Sequence, residues 1–410
     1  MGACRISPVI NPFERFDKIR EILIERNRFY SKRLKDPKTF EEIPFTTKSE
    51  LVEDQTQNPP FGTDLTYPVE NYVRIHQTSG TAGKPLAWLD TKESWDWWLR
   101  CWAEVYSGAN VRAGDRVYVA FSFGPFIGFW AAFEAAERMG VMAIPGGGQS
   151  SEQRLHSILE REATVLVCTP TYALRLAEVA ALQGIDLVQG PIRTTVHAGE
   201  PGASIPETRR RIQEAFGART FDHVGMTEMG AYGFECEMQS GLHINEDEFI
   251  VEMIDPGTLQ PVDPGTKGEM VLTNLGRLGS PLIRYRTGDL GVLSREPCAC
   301  GRQWPRLMGG VLGRADDMIT IRGVNVFPSA IENIVRRHPQ VVEFAIEVSR
   351  RREMHELSLK VELENSAGEI IERLRADISK NLNIRATIEH VPAGSLPRFE
   401  LKSRRLRVVD

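Results

Sequence analysis

Two stretches of the chain carry residue types suited to chemistry. The first is 76-HQTSGTAGKPLAWLD-90, in which Thr78, Ser79 and Thr81 supply hydroxyls, Gly80 and Gly83 supply conformational freedom and Lys84 supplies a cation. Consecutive backbone N–H groups, released by glycine into positive φ, form a concave nest for anionic oxygens, so the loop reads as a phosphate cradle. A Walker-type loop needs glycine where Thr78 stands and a hydroxyl directly after the lysine, where Pro85 stands. A plain Gly/Ser/Thr surface turn is the competing reading. The second stretch is Cys298-Ala-Cys300-Gly301-Arg302, which sets two thiols on one tight turn as a metal knuckle does. A tetrahedral site needs two more donors, and Cys236 and His243 in 236-CEMQSGLH-243 complete a Cys₃His set of the structural Zn²⁺ kind. Free thiols in a β-hairpin remain the alternative.

Three further residues draw attention singly. Glu228, in 222-DHVGMTEMG-230, is a carboxylate in a glycine-containing turn, and by itself reads as a helix-start acid. Asp289, in 284-RYRTGDL-290, reads by itself as an Asx-turn acid. Lys402, in 396-LPRFELKSRRL-406, reads by itself as a solvated tail lysine.

These residues have to be positioned by a chain of 410 residues, too long for one ordinary core, so a large domain and a smaller one are expected. With 41% hydrophobic and 26% charged residues the material is that of a soluble globular protein. A formal charge of −5 speaks against nucleic acid held by bulk electrostatics. The absence of any long apolar run speaks against a membrane span or signal peptide, and the expected location is cytoplasmic. Apolar runs alternate with helical stretches: 116–121, 126–140, 141–145, 152–162, 164–170, 171–184, 192–199 and 206–217. This β-α-β-α order predicts an α/β domain with parallel strands and sites at their C-terminal edges. Beyond about residue 240 short strands and turns predict a β-rich subdomain, with PGT and TKGE marking hairpins. The C-terminal stretch reads strand, helix (329–337), strand (342–349), strand (357–363), helix (368–382), strand (386–391), a compact α+β module. The expected division is a large domain over 1–312, a hinge at 313–317 and a small mobile domain over 318–410.

The loop at 76–90, 197-HAGEPG-202, 222-DHVGMTEMG-230, 284-RYRTGDL-290, 313-GRADDMITIRGVNVFPSAIE-332 and 396-LPRFELKSRRL-406, in this order, resemble the core motifs of the adenylate-forming superfamily of acyl-CoA synthetases, adenylation domains and luciferases. The PFTTK and CACGR segments resemble those of its phenylacetate-CoA ligase family. The resemblance spans nearly the whole chain. It implies an ATP-dependent ligase that joins a carboxylic acid to AMP with release of pyrophosphate and then passes the acyl group to CoA. Loading of a carrier-protein phosphopantetheine or an amine, and a non-catalytic nucleotide-binding homologue, are the alternatives, and a homodimer is left open.

By the same resemblance Thr78, Ser79, Gly80, Thr81, Gly83 and Lys84 would hold the ATP phosphates, Glu228 would hold Mg²⁺ and Thr227 the nucleotide phosphate. Gly199, Glu200 and Pro201 would line the adenine side. The chain has Val224 where the family places an aromatic residue against the base, which leaves base stacking either weaker or supplied by His223. Asp289 would accept both ribose hydroxyls with Arg314 nearby, Asp316 would belong to the hinge and Gly323 to the CoA tunnel. Lys402 would be the catalytic lysine, although Leu401 replaces the usual preceding glycine. Phe121, Phe123 and Phe126 stand where an acyl pocket is expected, favouring an aryl, arylacetic or small hydrophobic acid.

Overall fold

The computed structural model describes residues 11–78, 85–125, 127–128, 130–315, 319–321, 324–351, 354–363, 367–399 and 405–409. The chain divides into two compact units, each assembled from separate segments: residues 1–147, 223–288 and 292–308 in one, and residues 148–222, 289–291 and 309–410 in the other. Among the described residues no helix is long and apolar enough to cross a membrane.

In the first unit the segment PFTTKSEL starts a helix as its sequence announces. Thr47 caps the helix Lys48–Gln57, and Glu50 reaches back to the Thr47 amide to close a capping box. The helix Lys92–Gly108 buries Trp95, Trp97, Trp98 and Trp102, so the crowd of tryptophans in 95-WDWWLRCW-102 is core. The strands Arg116–Val119 and Met142–Pro145 pair in parallel, joined by the helix Trp130–Arg138. Phe249–Ile254 and Lys267–Asn274 form one antiparallel hairpin whose long connection carries both PGT turns. The short strands Leu242–Ile244 and Arg306–Leu307 bring the two cysteine-bearing turns to neighbouring positions, with His243 opposite Arg306.

The second unit holds the helices Ser151–Glu160, Pro170–Leu182 and Pro206–Phe216 with the parallel strands Val165–Cys168 and Thr194–His197. The strand Arg219–Met226 begins in parallel with Thr194–His197 and ends antiparallel to Gly230–Glu235. The C-terminal segment forms a four-stranded sheet ordered Ala386–Val391, Met354–Leu363, Val341–Arg351, Leu406–Val409. The helices Pro328–Arg336 and Ala367–Leu382 accompany this sheet, and its core is built on Ile331, Ile334, Phe344, Leu359, Leu374 and Ile378. The last strand, parallel to Val341–Arg351, was not expected from the sequence.

Candidate active site and metal centre

Thr78 closes the base of the glycine loop. Its amide donates to the Leu86 carbonyl at 3.0 Å and its hydroxyl accepts from the Leu86 amide at 3.0 Å. Ser79, Gly80, Thr81, Gly83 and Lys84 lie outside the described residues, as do Phe126, Asp316, Gly323 and Lys402.

Thr227 and Glu228 sit half-exposed on the turn that joins the strand Arg219–Met226 to Gly230–Glu235. That turn is a hairpin, not a helix start, so the macrodipole reading of Glu228 does not apply. The Tyr285 hydroxyl donates to Glu228 Oε1 at 3.2 Å. The carbonyl oxygens of the turn face a buried cation: Arg277 Nη1 donates to Thr227 O at 2.7 Å and to Glu228 O at 2.9 Å. Neither Arg277 nor Tyr285 was singled out from the sequence. Arg277 meets its counter-ion, Asp90, across a separation of 187 residues that no local pattern reveals.

His223 is buried against Trp102 at 4.4 Å between ring centroids. Its Nδ1 lies 2.8 Å from the Gly233 carbonyl, and burial pushes its pKa down to about 4, so the ring is neutral and part of the core. Val224 beside it is half-buried. In the second unit Gly199 takes φ +96°, which favours glycine, and Glu200 Oε1 accepts the Thr171 amide at 2.9 Å at the start of the helix Pro170–Leu182. Pro201 next to it is exposed. Asp289 is opposite Arg314 in a short antiparallel pair, and Arg314 Nη1 donates to Asp289 Oδ1 at 3.4 Å. Phe123 packs edge-on against Trp130 and Phe133 at 4.6 and 5.6 Å.

The basic C-terminal run is not all solvated. Arg405 is buried, with Nε 2.7 Å from Glu343 Oε1 and Nη1 3.3 Å from Thr171 Oγ1. Arg398 reaches Glu362 at 2.8 Å and Glu178 at 3.4 Å.

The ligand atoms of Cys236, His243, Cys298 and Cys300 all lie within 4.8 Å of one another. Cys236 Sγ is 3.7 Å from Cys298 Sγ, and Cys300 Sγ is 3.4 Å from His243 Nε2. A tetrahedral zinc, with Zn–S about 2.3 Å and Zn–N about 2.0–2.1 Å, spaces sulfurs about 3.8 Å apart and sulfur from nitrogen about 3.6 Å. The Cys236–Cys298 and Cys300–His243 separations therefore match the edges of a zinc site. His243 Nδ1 lies 3.2 Å from the Trp304 carbonyl, which orients the ring and leaves Nε2 towards the thiols. Burial pushes the Cys236 thiol up to about 12 and the His243 imidazole down to about 4. Cys298 is also raised by burial, but hydrogen bonds from Cys300, Ser240 and Cys236 bring it down to about 7.

Comparison with known proteins places this geometry in a class. Residues 323–410 match the family model described as the AMP-binding enzyme C-terminal domain. Solved structures of 2-hydroxyisobutyryl-CoA ligase are similar throughout. The one in the postadenylation state with 2-HIB-AMP is 30% identical with a TM-score of 0.91, covering 97% of this chain and 89% of that one. The one in the thioesterification state with 2-HIB-AMP and CoA is 31% identical with a TM-score of 0.72, covering 97% of this chain and 88% of that one. The fold is that of an adenylate-forming CoA ligase. The phenylacetate-coenzyme A ligase of Thermus thermophilus is 33% identical over 435 residues, 97% of this chain and 95% of the relative. The chain belongs to the phenylacetate-CoA ligase family.

Proposed function

We propose that this AMP-forming acid–CoA ligase activates an arylacetic, aryl or small hydrophobic acid. The reading rests chiefly on near full-length likeness to a phenylacetate-CoA ligase. It is supported by the carboxylate of Glu228, held at the tip of a braced hairpin turn. In the first half-reaction a carboxylate oxygen of the acid bonds to the α-phosphorus of ATP and pyrophosphate leaves. In the second the CoA thiol gives up its proton, its sulfur bonds to the acyl carbon and AMP leaves.

Phosphoryl-type transfer depends on alignment and charge neutralisation more than on covalent help. Thr78, Ser79, Gly80, Thr81, Gly83 and Lys84 are assigned to the β- and γ-phosphates, and Thr227 to the nucleotide phosphate. Glu228 is assigned to Mg²⁺, which when bound neutralises phosphate charge and suits a hard oxygen ligand. Gly199, Glu200 and Pro201 are assigned to the adenine side. With His223 committed to the core, Val224 is the residue of that strand left to meet the base. Asp289 has two acceptor oxygens for the two adjacent ribose hydroxyls, with Arg314 beside it. The aromatic group around Phe123 supports a hydrophobic acid.

A hinge at 313–317 between a large domain over 1–312 and a small one over 318–410 would bring Lys402 to the adenylation centre in one orientation and Gly323 to CoA in the other. Cys236, His243, Cys298 and Cys300 would hold a structural zinc, tying the two cysteine-bearing turns together. A cytoplasmic location, where ATP and CoA are both available, fits this reading.

Pyrophosphate release over a panel of carboxylic acids, with and without CoA, tests the reading. Acid-dependent release with thioester product supports it, release without any thioester transfers the acyl group to a carrier or amine instead, and no release with any acid leaves a nucleotide-binding protein. Lys402→Ala is expected to lower acid-dependent pyrophosphate exchange roughly a hundredfold or more. It should leave conversion of supplied acyl-adenylate to acyl-CoA nearly unchanged, and equal loss of both steps would make Lys402 a structural residue.

A further inference from the structure

Arg277 and Asp90 are both fully buried, and the guanidinium and carboxylate meet as a fork on a fork, with Nε–Oδ1 at 2.7 Å and Nη2–Oδ2 at 2.8 Å. The guanidinium also lies 5.4 Å from the ring centroids of Trp88 and Trp98. A fully buried ion pair is a poor source of stability, because the desolvation of two charges offsets most of their attraction. What this pair adds is direction. The remaining nitrogen, Nη1, points at the hairpin turn and donates to the carbonyls of Thr227 and Glu228. The next carbonyl, that of Met229, accepts from Asn274 Nδ2 at 3.3 Å. Three successive peptide oxygens of the turn are thus held from the protein interior, and the side chains of Thr227 and Glu228 are left half-exposed on its outer side.

The local packing admits little else. A Cβ at position 276 would come 2.0 Å from Trp97 Cδ1, so the chain runs past the indole at glycine and delivers Arg277 directly beneath the turn. Lysine cannot substitute for the fork. Four of these hydrogen bonds leave three different nitrogens of one rigid plane, whereas an ammonium offers three donors from a single point.

We propose that Arg277, anchored by Asp90, is a positioning residue for the adenylation step, fixing the Thr227–Glu228 turn so that its side chains meet the nucleotide phosphate and the magnesium in one geometry. The inference rests on the assignment of those two residues to the nucleotide and its metal. A displacement of about 1 Å at a reacting centre costs on the order of a hundredfold in rate. Arg277→Lys, which keeps the charge and loses the fork, is therefore expected to lower acid-dependent pyrophosphate exchange by about 10- to 100-fold and to raise the Mg²⁺ concentration needed for half-maximal rate. Conversion of supplied acyl-adenylate to acyl-CoA, which does not use the magnesium, should stay within about threefold. A merely structural loss lowers both half-reactions together.

The decisive measurement is the double variant. If Arg277 acts through Glu228, Arg277→Lys costs little more once Glu228→Gln is present, because coupled residues are not additive. Full additivity, equal loss of both half-reactions, or an unchanged Mg²⁺ dependence in Arg277→Lys overturns the positioning role while leaving Glu228 in place. A Glu228→Gln enzyme with wild-type exchange overturns the assignment of Glu228 itself, and the positioning role with it. Should circular dichroism show Arg277→Lys unfolded, Asp90→Asn takes its place in the same cycle, since it weakens the anchor without removing the fork; the same outcomes then decide.

Discussion

Asp90 with Arg277, and the knuckle of Cys236, His243, Cys298 and Cys300, are both sets of polar groups withdrawn from water, and they are completed in opposite ways. In the first the protein supplies both charges, each oxygen of the carboxylate has its donor, and the geometry is finished when the chain folds. In the second it supplies three thiols and an imidazole whose ligand atoms lie within 4.8 Å of one another. A group of the first kind braces its neighbours, as Arg277 braces the turn at 227–229. A group of the second kind is completed by something from outside, a metal ion or a proton. The distinction turns burial and pairing into predictions about what each site requires.

The largest expected effect falls on the knuckle. A closed thiolate site contributes folding energy outright, and structural zinc in small peptides binds with about 10–16 kcal/mol at neutral pH. Metal analysis of protein purified without added metal should find about one zinc per chain. Cys298→Ser should lower the zinc content and bring Tm down by roughly 5–10 °C. Zinc-free protein of full stability would mean that the four donors are ordinary thiols and an imidazole, and the contrast with Asp90 would lose one side.

Asp289 meets its arginine differently from Asp90: Arg314 Nη1 stands 3.4 Å from Asp289 Oδ1, where Arg277 forks Asp90 at 2.7 and 2.8 Å. By the proposed assignment its two oxygens take the two ribose hydroxyls. Asp289→Ala is expected to weaken ATP by about 2–4 kcal/mol, the loss of two charge-assisted hydrogen bonds, with the KM for the acid changed far less. An unchanged KM for ATP with activity retained would assign Asp289 to the turn alone.

How far these sites could be read in the sequence follows the same line. The alternation of strands and helices between residues 116 and 217, the Thr47 cap and the Cys298/Cys300 pair are local patterns, and each appears where its spacing put it. The partners of the cysteine pair were legible because metal ligands come from a short list of residue types. Arg277 and Asp90 were not, since one arginine among many acquires meaning only from a contact 187 residues away. The strand Leu406–Val409 was hidden for a related reason: preceded by 402-KSRR-405 it reads as a solvated tail, and only pairing with Val341–Arg351 and the burial of Arg405 against Glu343 draw it in. His223 shows the reverse error of expectation, a residue next to a motif whose ring the core had already taken.

Asp64 provides the smallest and cleanest test of the comparison, because it is a buried carboxylate without the fork that Asp90 has. It is 2% exposed, and its Oδ1 has no hydrogen-bond partner among the described residues. Burial first, and the nearby Asp54 second, push its pKa up to about 7. A carboxyl raised in the folded state holds a proton there that the unfolded chain, titrating near 4, has already released. The folded state therefore binds more protons between about pH 4 and pH 7, and this group's contribution to stability declines as pH rises through that window. Asp64→Asn removes the charge that must otherwise be buried or neutralised while keeping the shape of the side chain. Relative to the parent, the variant should gain nothing at about pH 4 and roughly 2–4 °C in Tm at pH 8, with the difference developing across the window. Reading the result as variant minus parent cancels the titrating groups that are not coupled to Asp64, leaving Asp64 and its neighbour Asp54. A variant less stable than the parent at pH 8 would show that Asp64 is ionised and paired as Asp90 is, and that burial without a fork does not, in this protein, call for a proton.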